Sequence, residues 1–229
     1  HRAQQALQAF SDSIPAIAWV ATPDGLLERF NAQWYHYTGV SPEQAVGQGW
    51  INCIHPDDRA TARAAWKGAR DTDKTWQVEY RLRRLDGVYR LFLVRVVAQL
   101  DHSGAVQRWF GTTIDIDDAR QAEKERRLLA SIVENSRDFI GISDTYGNPI
   151  YGNRAGMKLI GLKNLEEVRG SRIADYFIPE QRQFVNEVVM PAVATDGRWS
   201  GELTMQHFVT GATIPVWYDL FRVDDPVSR

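Results

Sequence analysis

The chain repeats itself. Asn31 recurs as Asn153 and Gly39 as Gly161, both at an offset of 122. Gly47 recurs as Gly170, Pro56 as Pro179, Trp76 as Trp199 and Glu79 as Glu202 at 123, and the turn Asp86-Gly87 is answered by Thr210-Gly211 at 124. Chance matches scatter. These keep their order and drift by two residues, so the sequence encodes two copies of one unit. A length of 229 residues accommodates both, since a small domain needs roughly 100 residues to bury a core.

Each copy shows the same local pattern. Ala16 to Thr22, the turn Pro23-Asp24-Gly25 and Leu26 to Phe30 spell a hairpin, and Phe139 to Ser143, Tyr146-Gly147-Asn148 and Pro149 to Tyr151 spell its counterpart. The glycine-bounded stretches Asn31 to Gly39 and Pro42 to Gly47 are too short to be helical without tertiary support. Pro56 opens a longer helix towards Arg70, with Asp57 and Asp58 where the helix dipole favours acids. Its counterpart runs from Pro179 to Ala194, and Pro191 is expected to end or kink it.

Beyond these helices the period changes to two. Trp76, Val78, Tyr80 and Leu82 alternate with Gln77, Glu79, Arg81 and Arg83, which predicts a half-buried strand. Turns at Asp86-Gly87 and Asp101 to Gly104 then lead into strands Val88 to Ala98 and Val106 to Ile114, an antiparallel meander. Between the copies, Asp117 to Arg137 holds no Gly or Pro and carries the helical pair Glu123 and Arg127. It predicts a connecting helix. The partial stripe Ala119, Ala122, Leu129, Ile132 and Val133 leaves a coiled coil and a solvated spacer both open.

Composition removes several function classes. Lys plus Arg (27) nearly balance Asp plus Glu (29), leaving no electrostatic reason to expect nucleic acid or an anionic membrane as partner. The single cysteine, Cys53, excludes an internal disulfide and a multi-cysteine zinc site, and it suits a reducing cytoplasm. No apolar run approaches the roughly 18 residues of a membrane span. The opening His1-Arg2-Ala3-Gln4-Gln5 is unlike a signal peptide and is expected to be the end of an N-terminal helix cut from a longer protein.

The ordered landmarks resemble tandem PAS domains. In the first copy the carriers are Asn31, Gly39, Gly47, His55-Pro56-Asp57-Asp58-Arg59, Glu79-Tyr80-Arg81-Leu82, Asp86-Gly87, Trp109-Phe110-Gly111-Thr112 and the closing Asp115-Ile116-Asp117. In the second they are Gly147-Asn148, Asn153, Gly161, Gly170, Gly197-Arg198-Trp199-Ser200-Gly201-Glu202-Leu203 and Thr210-Gly211. The resemblance implies an α+β fold with two domains, each a five-stranded antiparallel sheet with short helices on one face, joined by a helical linker. It implies boundaries of 1–12 for the N-terminal helix end, 13–116 for the first domain, 117–137 for the signalling helix and 138–229 for the second domain. In such domains the last meander strand sits centrally, beside the first hairpin strand, and a ligand pocket lies between sheet and helices. The closing Asp115 and Asp117 resemble the family's exit signal and would relay to the linker. The resemblance further implies a dimeric sensor module of a bacterial signalling protein, a histidine kinase before a diguanylate cyclase, which senses a small ligand or a redox cue and passes it through the helical linker to an output domain downstream.

The repeat also exposes a gap. At an offset of 124 the last residue, Arg229, answers Ala105, so the second copy has no counterpart of Val106 to Ile114. Either residues following Asp225-Pro226-Val227 supply that central strand, which is the favoured expectation, or another segment fills its place.

No cofactor is required by these residues. Asn52-Cys53 matches the start of the family's flavin-adduct motif, but Ile54-His55-Pro56-Asp57 follows, so flavin is not expected. His55 precedes the long helix and is expected to shape its loop rather than ligate haem, since Ile178 stands in its place in the second copy. His36 on a short helix, His102 in a turn and His207 in a strand lack companions at metal-ligand spacing. Asp57 with Asp58 serve the helix end, Glu79 and Glu202 suggest surface pairing, and no catalytic residue is expected. The aromatic residues are the candidates for binding. Trp34, Tyr37, Trp50 and Trp109 in the first copy, and Tyr151, Met157 and Met205 in the second, are expected to line a pocket for a small apolar or aromatic ligand. The alternative is a packed, ligand-free dimerisation or docking module.

Overall fold

The computed structural model describes residues 2–72 and 75–223. The chain forms two compact units, divided after Lys124.

The first unit opens with helix α1 (Arg2–Ser13) and the hairpin β1 (Ile17–Ala21) and β2 (Leu27–Phe30). Helices α2 (Ala32–Thr38) and α3 (Pro42–Ala45), two 3-10 turns at Gly49–Cys53 and Pro56–Asp58, and helix α4 (Arg59–Thr72) follow. The meander is β3 (Trp76–Arg83), β4 (Tyr89–Leu100) and β5 (Val106–Asp115). The five strands form one antiparallel sheet of order β2-β1-β5-β4-β3. Strand β5 lies between β1 and β4, with Gly111 facing Trp19 on one side and Val96 on the other. Alternation decides which face is covered. Trp19, Tyr80, Leu82, Phe92, Val94, Val96 and Trp109 are buried against the helices, and their neighbours in sequence are not.

Helix α5 (Asp117–Asn135) leaves β5 and buries none of its side chains. The second unit repeats the parts: hairpin β6 (Gly141–Ser143) and β7 (Pro149–Gly152), α6 (Arg154–Ile160), α7 (Leu165–Arg169), a 3-10 turn at Ile173–Tyr176, α8 (Pro179–Phe184), α9 (Met190–Asp196), and β8 (Arg198–Gln206) paired with β9 (Thr213–Phe221).

The duplication holds at the level of single hydrogen bonds. Asn31 Oδ1 accepts from Ala18 N–H while its Nδ2 donates to Ser11 O and Ala16 O. Asn153 Oδ1 accepts from Ile140 N–H while its Nδ2 donates to Val133 O and Asp138 O. Both side chains are buried and saturated, as a polar group in a core must be. Asp58 accepts from Arg81 N–H at 2.9 Å, and Gln181 accepts from Thr204 N–H at 2.7 Å. Gly39 and Gly161 end α2 and α6 at φ +69° and +79°, where a side chain would strain the backbone.

One expectation needs correction. Pro191 does not end its helix, which continues to Asp196. A π-helical turn at Val185–Val189 precedes it, with Met190 N–H donating to Val185 O. A proline ring clashes with the carbonyl four residues back in an α-helix, and the wider turn relieves that demand. The gap read from the repeat is seen in the second unit: among the described residues β6-β7 and β8-β9 form separate two-stranded sheets, whereas in the first unit β5 joins the corresponding strands. Asp225-Pro226-Val227 lie outside the described residues.

Candidate functional site

Between sheet and helices, the first unit holds a cavity of about 30 Å³, lined by Trp19, Trp34, Trp50, Trp66, Trp76 and Tyr80 among others. That is space for about one water. Phe30 stacks on Trp34 with ring centres 4.1 Å apart, and Trp66 meets Trp19 and Trp109 edge to face. Three indoles have partners: Trp19 Nε1 donates to Thr113 Oγ1, Trp66 Nε1 to Gly25 O and Trp109 Nε1 to Pro23 O. Trp34 differs from these. It is 2% exposed, and its Nε1–H finds no acceptor among the described residues. A buried donor left so is costly.

Tyr37 sits apart from this cavity, edge-on to Phe92. Its hydroxyl is also buried and unpartnered, and burial first, then the Asp115 carboxylate, pushes its pKa up to about 12. Asp115 leads to the exit of the domain. Arg90 Nε donates to Asp115 at 2.6 Å, and Arg90 Nη2 lies 2.8 Å from Asp118 in the first turn of α5. Leu91 N–H donates to Asp117 Oδ1 at 3.0 Å, Ile116 N–H donates to Leu91 O, and Arg120 pairs with Glu79. Asp117 and Asp118 also suit the positive end of the helix. Strands β3, β4 and β5 therefore all hold the start of α5.

The far end of α5 is held by the second unit. Glu134 accepts hydrogen bonds from the Tyr151 hydroxyl and from Arg154 N–H, beside the Val133 carbonyl taken by Asn153. Burial first and then the Glu134 carboxylate raise the Tyr151 pKa to about 12. A groove of about 540 Å³ lies between β6 and β9, lined by Phe139, Gly141, Tyr151, Tyr176, Met205 and Tyr218 among others.

The candidate residues thus divide. Trp34 and Trp50 line the first cavity, while Tyr37 and Trp109 are packed outside it. Tyr151 and Met205 line the groove and Met157, on α6, does not. Asp115 and Asp117 both stand at the exit. Sequence reasoning missed Trp19, Trp66 and Arg90. Gly111 opposite Trp19 was a usable signal, since a Cβ there would lie 2.0 Å from the indole. His55 Nδ1 accepts from Asp57 N–H in its loop, and Cys53 is buried with its thiol pKa raised by that burial. His207 lies one residue past β8 rather than within it, because its Nδ1 accepts from Val209 and Thr210 N–H in the turn. Among the described residues no helix is long and apolar enough to cross a membrane.

Short helices on one face of a 2-1-5-4-3 antiparallel sheet define a small α+β sensory domain, and the second unit repeats its parts in order. Family models described as the PAS fold match residues 28–113 and, separately, residues 127–216. The chain belongs to that family and carries two PAS domains in tandem. It is 29% identical over 183 residues to "Uncharacterized protein y4lL" of Sinorhizobium fredii, covering 78% of this chain and 22% of that protein. It is 31% identical over 139 residues to "Peroxide stress-activated histidine kinase mak1" of Schizosaccharomyces pombe, covering 60% of this chain and 8% of that protein. The chain therefore spans less than a quarter of either relative. Similar solved structures include a sensory box histidine kinase/response regulator from Burkholderia thailandensis, at 27% identity and TM-score 0.40 over 57% of this chain and 96% of that one. A PAS domain from Colwellia psychrerythraea is similar at 23% identity and TM-score 0.42, over 52% of this chain and 99% of that one.

Proposed function

We propose that this chain is the sensing and relay portion of a cytoplasmic bacterial sensor histidine kinase, in which a small neutral ligand of the first PAS domain changes how α5 is held. The observation that carries the proposal is Arg90, which ties the last strand of that domain to the first turn of the outgoing helix through Asp115 and Asp118. Tyr37, packed edge-on to Phe92, lies within the field of the same Asp115 carboxylate. A ligand moves such an equilibrium only by binding one state better than the other. The raised thiol pKa of buried Cys53 argues against a thiol redox cue. A histidine kinase among the relatives supports that output, with a diguanylate cyclase as the alternative. Exposed Leu128, Leu129 and Ile132 on α5 support a homodimer.

The test is signal-dependent autophosphorylation of the parent protein with and without Arg90→Ala. The variant is expected to uncouple output from signal; unchanged coupling overturns the proposal, and cyclic dinucleotide synthesis in place of phosphorylation selects the alternative. The size of the first cavity favours a second reading, a ligand-free docking and dimerisation module. Native mass spectrometry against a metabolite library separates the two, since that reading expects no bound mass.

A further inference from the structure

Two unsatisfied donors of the first domain share one short helix. Among the described residues, the buried side-chain polar atoms without a hydrogen-bond partner are Trp34 Nε1 and Tyr37 Oη. Both residues belong to α2, three positions apart and so on one side of it. Trp34 lines the cavity, whereas Tyr37 packs edge-on to Phe92 with ring centres 5.0 Å apart. Phe92 is the direct cross-strand partner of Asp115, and residues opposed in a ladder send their side chains to the same face. The Asp115 carboxylate therefore leaves the sheet on the side where Tyr37 packs. Its Oδ1 accepts from Asp117 N–H at 3.0 Å and from Arg90 Nη2 at 3.2 Å, and its Oδ2 accepts from Arg90 Nε at 2.6 Å. A carboxylate offers about four acceptor sites, so Oδ2 can take one donor more. The other carboxylate acting on Tyr37 is Asp86, and both its oxygens are already engaged by Arg84 and Val88 N–H.

We propose that Tyr37 is a second positioning residue of the exit: in another state of the first domain its hydroxyl donates to Asp115 Oδ2, shares the carboxylate with Arg90 and so changes how the first turn of α5 is held. On the reading above, in which a ligand of this domain changes the hold on α5, this is the link from core to clasp. In the present state the Trp34 stack on Phe30 and the bond from Leu85 N–H to Tyr37 O keep α2 where the hydroxyl has no acceptor. An occupant of the cavity presses on Trp34, and a helix of seven residues carries Tyr37 with it. The gain is the pairing of a buried hydroxyl that otherwise goes unpaired. Asp115 in turn reaches α5 by two routes, directly through Asp117 N–H and through Arg90 to Asp118. The carboxylate already acts on the hydroxyl, since after burial it is the largest cause of the raised Tyr37 pKa.

A double-mutant cycle on the 229-residue chain tests this without any ligand. Tyr37→Phe alone deletes an unpaired hydroxyl, so amide exchange in the first turn of α5 is expected to stay within about twofold of the unaltered chain. Arg90→Ala leaves Asp115 to Tyr37, so Tyr37→Phe on that background is expected to speed the same amides by a further fivefold or about that. In Arg90→Ala the Tyr37 hydroxyl proton is also expected to move downfield by NMR, a signature that a purely structural tyrosine would not give. Ala62 lines the cavity, and Ala62→Val, which fills it, is expected to shift the same proton with Arg90 in place. Equal effects of Tyr37→Phe on both backgrounds overturn the proposal, as does a hydroxyl resonance that moves in neither variant. Where Ala62→Val does not fold, the cycle decides. Failure here is distinct from failure of the function proposed above, which falls on unchanged coupling of output in Arg90→Ala.

Discussion

The Phe139 ring lies over Gly156, so that a Cβ on Gly156 would stand 2.0 Å from Phe139 Cδ2. The corresponding residues of the first domain are Ile17 and Trp34, and there the bulk comes from the helix instead of the strand. The two cores exchange large and small residues across one contact. Gly156→Ala therefore inserts a methyl into an occupied space, and the gain in helix propensity does not offset it. Urea unfolding is expected to show the second domain destabilised by about 1–3 kcal/mol.

Asn31 and Asn153 tie their hairpins to the preceding helix in the same way, so their replacement should cost about alike. The alanine variant removes three hydrogen bonds at Asn31 and four at Asn153, whose Oδ1 also accepts from Gly156 N–H, and strands their backbone partners. A loss of about 2–4 kcal/mol is expected for Asn31→Ala in the first domain and for Asn153→Ala in the second. Domain-resolved hydrogen exchange checks that each effect stays in its own unit.

Trp34→Phe carries the opposite sign. It keeps an aromatic ring on Phe30 and deletes a buried donor that has no acceptor among the described residues. Calorimetry is expected to show no loss, and up to about 1 kcal/mol of gain. A drop above about 2 kcal/mol would mean that the N–H has a partner, such as a bound ligand or water.

Arg90→Ala should loosen the helix more than it destabilises the fold. The pair Arg90 with Asp115 is partly solvated, and such pairs contribute at most about 1 kcal/mol. Amides in the first turn of α5 are expected to exchange at least several-fold faster while the melting temperature falls by only a few degrees.

The acid limb of stability should depend on Asp58. Its hydrogen bond from the Arg81 guanidinium holds its carboxyl below the usual range. A lowered folded pKa means stability that is complete above about pH 4 and is lost as pH falls through the folded value. Asp58→Asn removes that dependence, so its unfolding free energy is expected to change less steeply with pH below about pH 4.

Much of this was legible in the chain. Asn31 and Asn153 announced the duplication, and the alternation from Trp76 to Leu82 announced the meander, because these depend on local periodicity and on residues that only one backbone geometry suits. The site was less legible. Trp34 and Trp109 look alike in sequence, yet Trp34 lines the cavity with a free N–H and Trp109 is tied to Pro23. Asp115 and Asp117 were readable as an exit. Arg90, 25 residues from Asp115, was not.

By itself, then, the sequence determined that one α+β unit is folded twice and that a charged helix joins the copies, since spacing and period are properties of the chain alone. Only the tertiary structure decided which buried indole lacks an acceptor among the described residues and which arginine grips the helix. Those outcomes depend on side chains brought together from distant positions, where packing leaves room for one arrangement and none for its neighbours.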